Sequence, residues 1–535
     1  TGFSLSFSYI DNPGLMKISG AKTYMGRINL YTDVTDWLRV GTRTSANFSN
    51  RRAAGGNHSD IGGGLSTVKM IPCTYPYYDG MFGAPEGPED DPQSHNPLWD
   101  WNTADGYNQN KRFYTDWYAQ VKFLKHFTYK FAFYWYDLRR EQKQSDMSIG
   151  KFSFSKGAYS TGASSPAELY TNMFYSRENL TKLSHVLSYN QSVGQHDVSA
   201  MVGYEQEAFD YRQSSASKLG LTDASINDFD AATTPYSTSG YGTQYSSRSW
   251  FGRLNYAFDN RYLFEFDMRY DGSSRFAPEN RWGAFPSLSA GWRVTEEPWF
   301  NVPRWLNNLK VRASWGKLGN NSIGNYDWQS FYAATNYSFG QALASGISIT
   351  AIANRDLTWE ETAVTNVGVD FGLLNNRLTG NIDFYNKLTT GILYTPDMFM
   401  IMGNASGPKA NIAEVTNRGV EVEIGWRGRF GSDFTYEVKG QFSYNHNNVS
   451  NYKGELKRGW NADHTEYTSN LGEVSTGSTT RVLEGHQIGE WYLPNVYKGT
   501  GTYYNGDGSV NPNGGPKDGM IRTDTDLEWA KAMQA

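Results

Sequence analysis

The feature that most constrains this chain is a period-two alternation of apolar and polar residues, broken by connections that are alternately short and long. In residues 377–387, apolar side chains such as Leu378 and Phe384 fall on one parity and polar side chains fall on the other. Because successive side chains of a strand point to opposite faces, this segment is predicted to be a strand with one apolar and one polar face. A tight turn at 374–376 precedes it, and a long polar stretch follows it.

The same unit recurs along the chain. Candidate hairpins join Tyr24–Tyr31 to Trp37–Phe48, Phe113–Leu124 to Phe127–Leu138, Leu180–Tyr189 to Val198–Phe209, Trp250–Phe258 to Tyr262–Tyr270, and Val420–Trp426 to Phe434–Tyr444. With the strands between them we count about 15, most of them close to the roughly ten residues that a tilted transmembrane strand needs. Past Asn445 the pattern predicts no further strand.

Composition agrees with a β-rich chain that crosses a membrane by strands. Of 535 residues, 16% are aromatic and 55 are glycine, which is typical of many strands and turns. No run of about 18 apolar residues occurs, so no transmembrane helix is predicted. The formal net charge of −5 argues against a nucleic-acid-binding protein, and the single cysteine, Cys73, excludes an intrachain disulfide.

These patterns predict an all-β fold, a transmembrane antiparallel β-barrel with long extracellular loops and short periplasmic turns. The side chains predicted to face lipid include Leu254, Phe264, Ile382, Val422 and Phe442. Those predicted to face the lumen include Arg253, Glu265, Asp383, Glu423 and Lys439. The alternative is a large soluble all-β protein such as a propeller or a β-helix, but a propeller has a self-similar blade repeat and this sequence has none.

The alternation of connection lengths also predicts which end of the barrel each connection occupies. Asn260, Asn375 and Gly431 are expected in short periplasmic turns. Trp101, Tyr236, Asn336 and Asn404 are expected on the opposite, extracellular side.

Four stretches carry a resemblance to a known family. They are Trp282–Phe300 (WGAFPSLSAGWRVTEEPWF), Leu309–Tyr326, Leu357–Tyr394 and Glu414–Trp426 (EVTNRGVEVEIGW). In them the sequence resembles the SusC/RagA-type TonB-dependent outer-membrane transporters of Bacteroidetes. The resemblance implies a barrel of about 22 strands around an N-terminal plug, held in the lipid of the cell outer membrane.

The chain departs from that family pattern at both ends. It shows no plug domain and no TonB-box segment, it opens without a signal peptide, and the family continues into further strands beyond its last residue. Residues 1–535 are therefore expected to form part of a TonB-dependent receptor barrel domain. Such a part is expected not to close by itself, because unpaired strand edges in hydrocarbon cost several kcal/mol for each backbone group.

The resemblance further implies the TonB-dependent import of oligomeric nutrients, without covalent chemistry. A SusD-like surface lipoprotein would capture the ligand, the TonB complex would act through the N-terminal part that this chain lacks, and two transporter–lipoprotein pairs could form a dimer. Glycans are the preferred cargo, because the loops are aromatic and only 19% of all residues are charged. Oligopeptide is the second cargo, and a passive porin or adhesin barrel is the alternative of a different class.

One long loop carries the candidate substrate-binding residues, which are aromatic: Tyr75, Tyr77, Trp99 and Trp101. Carboxylates and amides lie beside them in sequence, and flat aromatic faces with neighbouring polar groups suit sugar rings, which offer apolar C–H faces and rims of hydroxyls. The alternative is that these aromatics pack the loop against itself or against a partner.

The sequence offers little that suggests a metal or a catalytic group. Asn505, Asp507, Ser509 and Asn511 place oxygen side chains at alternate positions, as a calcium loop does, but no glutamate stands where the bidentate ligand belongs. The eight histidines form no i,i+4 pair and no G-x-S-x-G element occurs. We therefore expect no cofactor, with calcium as the alternative, no catalytic residues and no enzyme.

Overall fold

The structure is a computed structural model. It describes residues 1–14, 19–52, 77–84, 96, 104–146, 150–153, 157–160, 169–221, 223, 226, 228–234, 237–395, 407–452, 458–460, 467–469, 485 and 487–488. The chain divides into two compact units. The first comprises Thr1–Asn190 with Met201–Trp250, and the second comprises Gln191–Ala200 with Phe251–Ala535. Within the described part of the chain, no helix is both long and apolar enough to cross a membrane.

Long antiparallel strands dominate both units. The first half of the chain supplies β1 (Gly2–Asn12), β2 (Gly20–Thr35), β3 (Leu38–Arg52), β4 (Ala104–Phe123), β5 (Phe127–Asp146), β6 (Tyr170–Val193), β7 (His196–Leu219) and β8 (Ser237–Phe258). The second half supplies β9 (Tyr262–Ser273), β10 (Trp282–Arg293), β11 (Leu306–Asn320), β12 (Glu360–Leu373), β13 (Leu378–Tyr394), β14 (Ala410–Phe430) and β15 (Phe434–Tyr452).

The strands are hydrogen-bonded in the order in which they follow one another in the sequence, as a 15-stranded sheet. The predicted count of about 15 strands is confirmed. Over the described residues this order begins with β1 and ends with β15.

The register of the second unit separates an apolar from a polar face. One row of partners crosses seven strands, and its members are Phe264, Ala290, Ala313, Val367, Phe384, Val420 and Tyr444. A neighbouring row joins Ile382, Val422 and Phe442 on the same face. The predicted parities are thus confirmed for these side chains, while Asp383, Glu423 and Lys439 have the opposite parity and lie on the other face.

Arg253 and Leu254 are consecutive in β8 and therefore lie on opposite faces. The guanidinium of Arg253 donates to Asp267 on the polar face of β9 at 2.6 Å. The predicted orientation of this hairpin is confirmed as well.

Short turns occupy one end of the strands and long connections occupy the other. Asn260, Asn375 and Gly431 lie in turns and adopt positive φ values of 53°, 60° and 60°. Asn336 lies in the connection from β11 to β12, at the end opposite to the turn of Asn375, as predicted. Trp101, Tyr236 and Asn404 lie outside the described residues.

Three sequence expectations need correction. The strands are longer than the roughly ten residues expected, reaching 24 in β6 and β7, because pairing continues into polar stretches where no apolar periodicity marks it. The loop between β11 and β12 also contains a hairpin, Phe331–Phe339 with Ala342–Ala351.

The third correction concerns the strands past Asn445. β15 continues to Tyr452, and a short hairpin joins Arg458–Trp460 to Tyr467–Ser469, although no strand was expected past Asn445.

A small apolar core supports the long-connection end of the second unit. Phe276, Ile323 and Leu357 are buried together there, and Trp359 packs against them. Trp359 Nε1 donates to the carbonyl of Arg281 at 2.9 Å. The connections that meet at this core are therefore anchored to one another as well as to their strands.

Candidate functional site

Two long connections of the first unit meet in a small four-stranded sheet. Its strands, in order, are Tyr77–Tyr78, Met81–Ala84, Lys151–Ser153 and Ala158–Ser160. The first two belong to the connection from β3 to β4, and the last two to the connection from β5 to β6. The two inner strands pair in parallel and the outer pairs are antiparallel, so the sheet ties the two connections together.

One face of this sheet, which we call the aromatic loop face, carries Tyr78, Phe152 and Tyr159. The ring centroids of Tyr78 and Phe152 are 4.5 Å apart, and Phe152 is the register partner of Tyr159. Gly83 stands opposite Phe152 and adds no side chain to this face. Tyr78 and Tyr159 are 49% and 53% exposed, so both rings offer surface to a ligand.

Tyr77 lies on the opposite face of the same small sheet. Its ring centroid is 5.1 Å from that of Phe82, and the ring is about half exposed. Asp79 and Gly80 form the turn that follows, and Asp79 adopts a φ of 48° with its side chain exposed. The strand end therefore carries tyrosine rings on both faces and is followed by an exposed carboxylate, and such groups suit a sugar.

The structure thus describes one of the predicted substrate-binding residues. Tyr77 lies on the small sheet, whereas Tyr75, Trp99 and Trp101 lie outside the described residues. Tyr159 was missed, because its loop lies far from that of Tyr78 in the sequence, and only the parallel pairing of the two inner strands brings both tyrosines to one face, on either side of Phe152.

The candidate calcium ligands Asn505, Asp507, Ser509 and Asn511 also lie outside the described residues. Among the residues that are described, no group of three or more histidine, cysteine, aspartate or glutamate side chains could hold a metal ion.

Tyr107, which neighbours the candidate aromatics in sequence, has a different role. It lies in β4, and its hydroxyl donates to Glu141 of β5 at 2.7 Å. This hydrogen bond to a carboxylate raises the pKa of Tyr107 above its ordinary value. The tyrosine therefore braces the long extension of the β4–β5 hairpin rather than offering a free ring.

A second polar site lies on the polar face of the second unit, where β11, β12 and β13 run side by side. Arg312 donates through Nη2 to Asp383 at 2.6 Å and through Nε to Asp370 at 3.0 Å. A third bond runs from Nη1 to Asn366 at 3.3 Å. One guanidinium thus joins three strands, and we call this group the Arg312 cluster.

Gly368 makes room for that cluster. It is the register partner of both Arg312 and Asp383. A Cβ at Gly368 would stand 2.6 Å from Asp383 Oδ1 and 2.7 Å from the guanidinium carbon of Arg312. Asp383 is only 8% exposed and its Oδ1 has no hydrogen-bond partner in the described structure, so the Arg312 bond is its main electrostatic support.

The comparisons with known proteins agree with this architecture. The family model for the β-barrel of TonB-dependent receptor-like proteins matches residues 26–534. The TonB-dependent receptor SusC of Bacteroides thetaiotaomicron is 30% identical over 516 residues, which cover 91% of this chain and 49% of SusC. The TonB-dependent receptor P39 of Formosa agariphila is 26% identical over 452 residues, which cover 84% of this chain and 41% of P39.

Solved structures show the same fold. The RagAB peptide transporter superimposes with a TM-score of 0.77 at 22% identity, over 95% of this chain and 55% of that one. The open-open state of the RagAB peptide importer gives 0.76 at 23% identity, over 96% of this chain and 56% of that one. The chain therefore spans about half the length of the relatives it matches.

Proposed function

Since the chain belongs to the TonB-dependent receptor family, whose β-barrel it matches over residues 26–534, we propose that it serves the TonB-dependent import of oligosaccharides across the outer membrane. The family consists of transporters and receptors of the outer membrane and not of enzymes, which agrees with the expectation from sequence. A SusD-like surface lipoprotein completes the proposed importer, and the TonB complex supplies its energy.

The family match is the observation that carries energised import. It favours TonB-dependent transport over a passive porin or an adhesin, because the matched barrel is that of a TonB-dependent receptor. The faces of the sheet agree with this role. The row from Phe264 to Tyr444 suits contact with lipid, and the Arg312 cluster on the other face suits a wet lumen.

The aromatic loop face supports oligosaccharide as the cargo. Tyr78 and Tyr159 present half-exposed rings, and Asp79, which follows Tyr78 in the chain, is an exposed carboxylate. A pyranose ring can stack its C–H face on a tyrosine ring while its hydroxyls bond to a neighbouring carboxylate.

Oligopeptide is the second candidate cargo, and one observation favours it. The solved structures that share this fold include a peptide transporter and peptide importer, RagAB. At 22–23% identity this likeness concerns the fold, so it ranks below the aromatic loop face as an argument about cargo.

The partners belong to the same proposal. Similarity to SusC supports a SusD-like lipoprotein above the extracellular loops. A dimer of two such transporter–lipoprotein pairs would be the complete assembly.

Calorimetric titration of the full-length protein with a panel of oligosaccharides and oligopeptides tests the cargo. The loss of one stacking tyrosine should cost about 1 kcal/mol, or about fivefold in Kd. We therefore expect Tyr78→Ala and Tyr159→Ala each to weaken oligosaccharide binding about fivefold.

Tyr337→Ala is the matched control, because it removes an exposed tyrosine ring that also packs against a phenylalanine, Phe339, but lies outside the candidate site, in the hairpin between β11 and β12. It should leave the Kd unchanged. Equal effects of the three substitutions, or binding of the peptides alone, would contradict oligosaccharide recognition at this face.

A further inference from the structure

One connection at the turn end of the second unit differs from its neighbours. Residues 294–305 link β10 to β11, whereas residues 374–377 suffice between β12 and β13, and 431–433 between β14 and β15. This longer connection, which we call the W-turn, exposes two indoles. Trp299 is 65% and Trp305 55% exposed, and Val302 between them is exposed as well.

A buried carboxylate fastens the W-turn to the sheet. Glu297 is only 5% exposed, and its Oε1 accepts from the Tyr262 hydroxyl at 2.5 Å and from Trp292 Nε1 at 2.8 Å. Its Oε2 accepts from the guanidinium of Arg261 at 3.2 Å. Arg261 in turn pairs with Asp259 at 2.6 Å. The carboxylate is thus held by three donors, one from the turn before β9, one from β9 and one from β10.

These contacts fix the side of the sheet on which the W-turn lies. Tyr262 and Trp292 are register partners, and they share the parity of Phe264 and Ala290 on the apolar face. The ring of Trp299 is 6.4 Å from that of Trp292. Glu297 therefore holds the W-turn over the rim of the apolar face, and Trp299 extends the aromatic surface of that face beyond the last strand residue.

The chemistry of this rim suits a lipid headgroup region. Tryptophan and tyrosine favour the membrane–water interface, because their rings are apolar and their N–H and O–H groups are polar. Arg304 is exposed beside Trp305, where its guanidinium can meet a lipid phosphate. The surface also continues directly from the apolar face, which in this family of outer-membrane barrels contacts lipid.

We propose that the W-turn is a membrane-interface anchor. Trp299, Val302 and Trp305 enter the headgroup region of the phospholipid leaflet at the turn end, and Arg304 contacts lipid phosphate. Glu297 is the positioning residue, because its carboxylate accepts the hydrogen bonds of Tyr262 and Trp292. These bonds fix the angle at which the W-turn meets the bilayer. This role does not depend on which cargo the protein carries.

Fluorescence quenching in vesicles tests the anchor. The full-length protein with Cys73→Ser carries one new cysteine, from Trp299→Cys or Trp305→Cys, labelled with an environment-sensitive dye. It is reconstituted into phosphatidylethanolamine–phosphatidylglycerol vesicles with headgroup-level spin-labelled lipid. The reference site is Ser345→Cys, in the exposed hairpin at the opposite end of the strands.

We expect the lipid quencher to reduce the emission at positions 299 and 305 by twofold or more, and to leave position 345 nearly unchanged. Aqueous iodide should give the reverse order. Iodide quenching at 299 and 305 equal to that at 345 would overturn the anchor. Shielding of both sites from both quenchers would also overturn it, because a protein surface would then cover the W-turn.

Glu297→Gln tests the positioning role against Glu296→Gln. Glu296 is the adjacent carboxylate and is exposed, and it forms no ion pair with any residue that the structure describes. Glu297→Gln should at least halve lipid quenching at position 299, whereas Glu296→Gln should not change it. Tyr262→Phe removes one donor without altering charge and should have an intermediate effect even if Glu297→Gln fails to fold. Equal quenching in all these variants would refute the positioning role.

Discussion

Replacing Arg312 by methionine should destabilise the second unit more than any other single loss of a charged side chain on its polar face. The substitution keeps an unbranched side chain of similar length but removes the guanidinium. It leaves Asp383 buried without its partner, while Asp370 keeps, among the residues that the structure describes, only Lys310 at 3.9 Å as a salt-bridge partner. The loss therefore falls mainly on the Asp383 carboxylate.

The size of the effect follows from burial. Removing one partner of a fully buried ion pair costs about 3–5 kcal/mol. The Arg312 side chain is 31% exposed and that of Asp383 11%, so solvent screens part of this cost. We expect Arg312→Met to cost about 2–3 kcal/mol. Lys310→Met should cost less than about 1 kcal/mol, because its pair is long and both of its members are partly exposed.

Urea unfolding of the full-length protein in lipid vesicles, followed by tryptophan fluorescence, measures these differences. A double-mutant cycle with Asp383→Asn isolates the pair, because the double variant no longer buries an unpaired charge. We expect a coupling energy of at least about 1 kcal/mol between Arg312 and Asp383. A loss below about 0.5 kcal/mol in Arg312→Met, or no coupling in the cycle, would refute this electrostatic reasoning.

Three further perturbations have definite expected outcomes. Gly368→Ala should lower the free energy of unfolding in urea by about 1–3 kcal/mol, because its Cβ would overlap the Arg312 cluster. A loss below about 0.5 kcal/mol would show that the side chains of the cluster move aside without strain. Phe384→Arg should cost about 2–4 kcal/mol in vesicles if this row faces the bilayer midplane, and little cost would place the row elsewhere. Hydrogen bonds, first of all from the Tyr262 hydroxyl, lower the pKa of Glu297. Its stabilising contribution is therefore present above the ordinary carboxyl pKa and lost as the pH falls through the lowered one. The acid-side fall in the urea midpoint should be smaller in Glu297→Gln, and an unchanged pH profile would contradict that assignment.

The sheet could be predicted from the sequence because its two faces differ in chemistry. Phe384 and Asp383 alternate along β13, and the tight turn that contains Asn375 fixes the register with β12. A shift of one residue would exchange the faces, so the alternation excludes every odd shift of the register, and the tight turn selects among the remaining registers. The same reasoning places Arg253 and Asp267 together on the polar face.

The exposed hairpin between β11 and β12 could not be predicted in the same way. Residues 331–351 contain no charged side chain, and both of their faces are exposed. Tyr337 and Phe339 alternate with small polar residues, as do Ile347 and Ile349, but these short runs lie inside a long loop and mark no buried face. Part of the candidate site could not be predicted from the sequence either. Tyr77 stands in an aromatic stretch of sequence, but Tyr159 joins the aromatic loop face only through pairing between two separate loops, which leaves no local signal.

The accumulation of labelled oligosaccharide in whole cells tests TonB-dependent import most directly. Uptake should be measured in cells with and without the gene for this protein, and with and without a functional TonB, against a labelled oligopeptide of similar mass. We expect oligosaccharide to accumulate only when both proteins are present, and the peptide not to compete. Accumulation that persists without TonB, or accumulation of the peptide in place of the oligosaccharide, would contradict the proposed function.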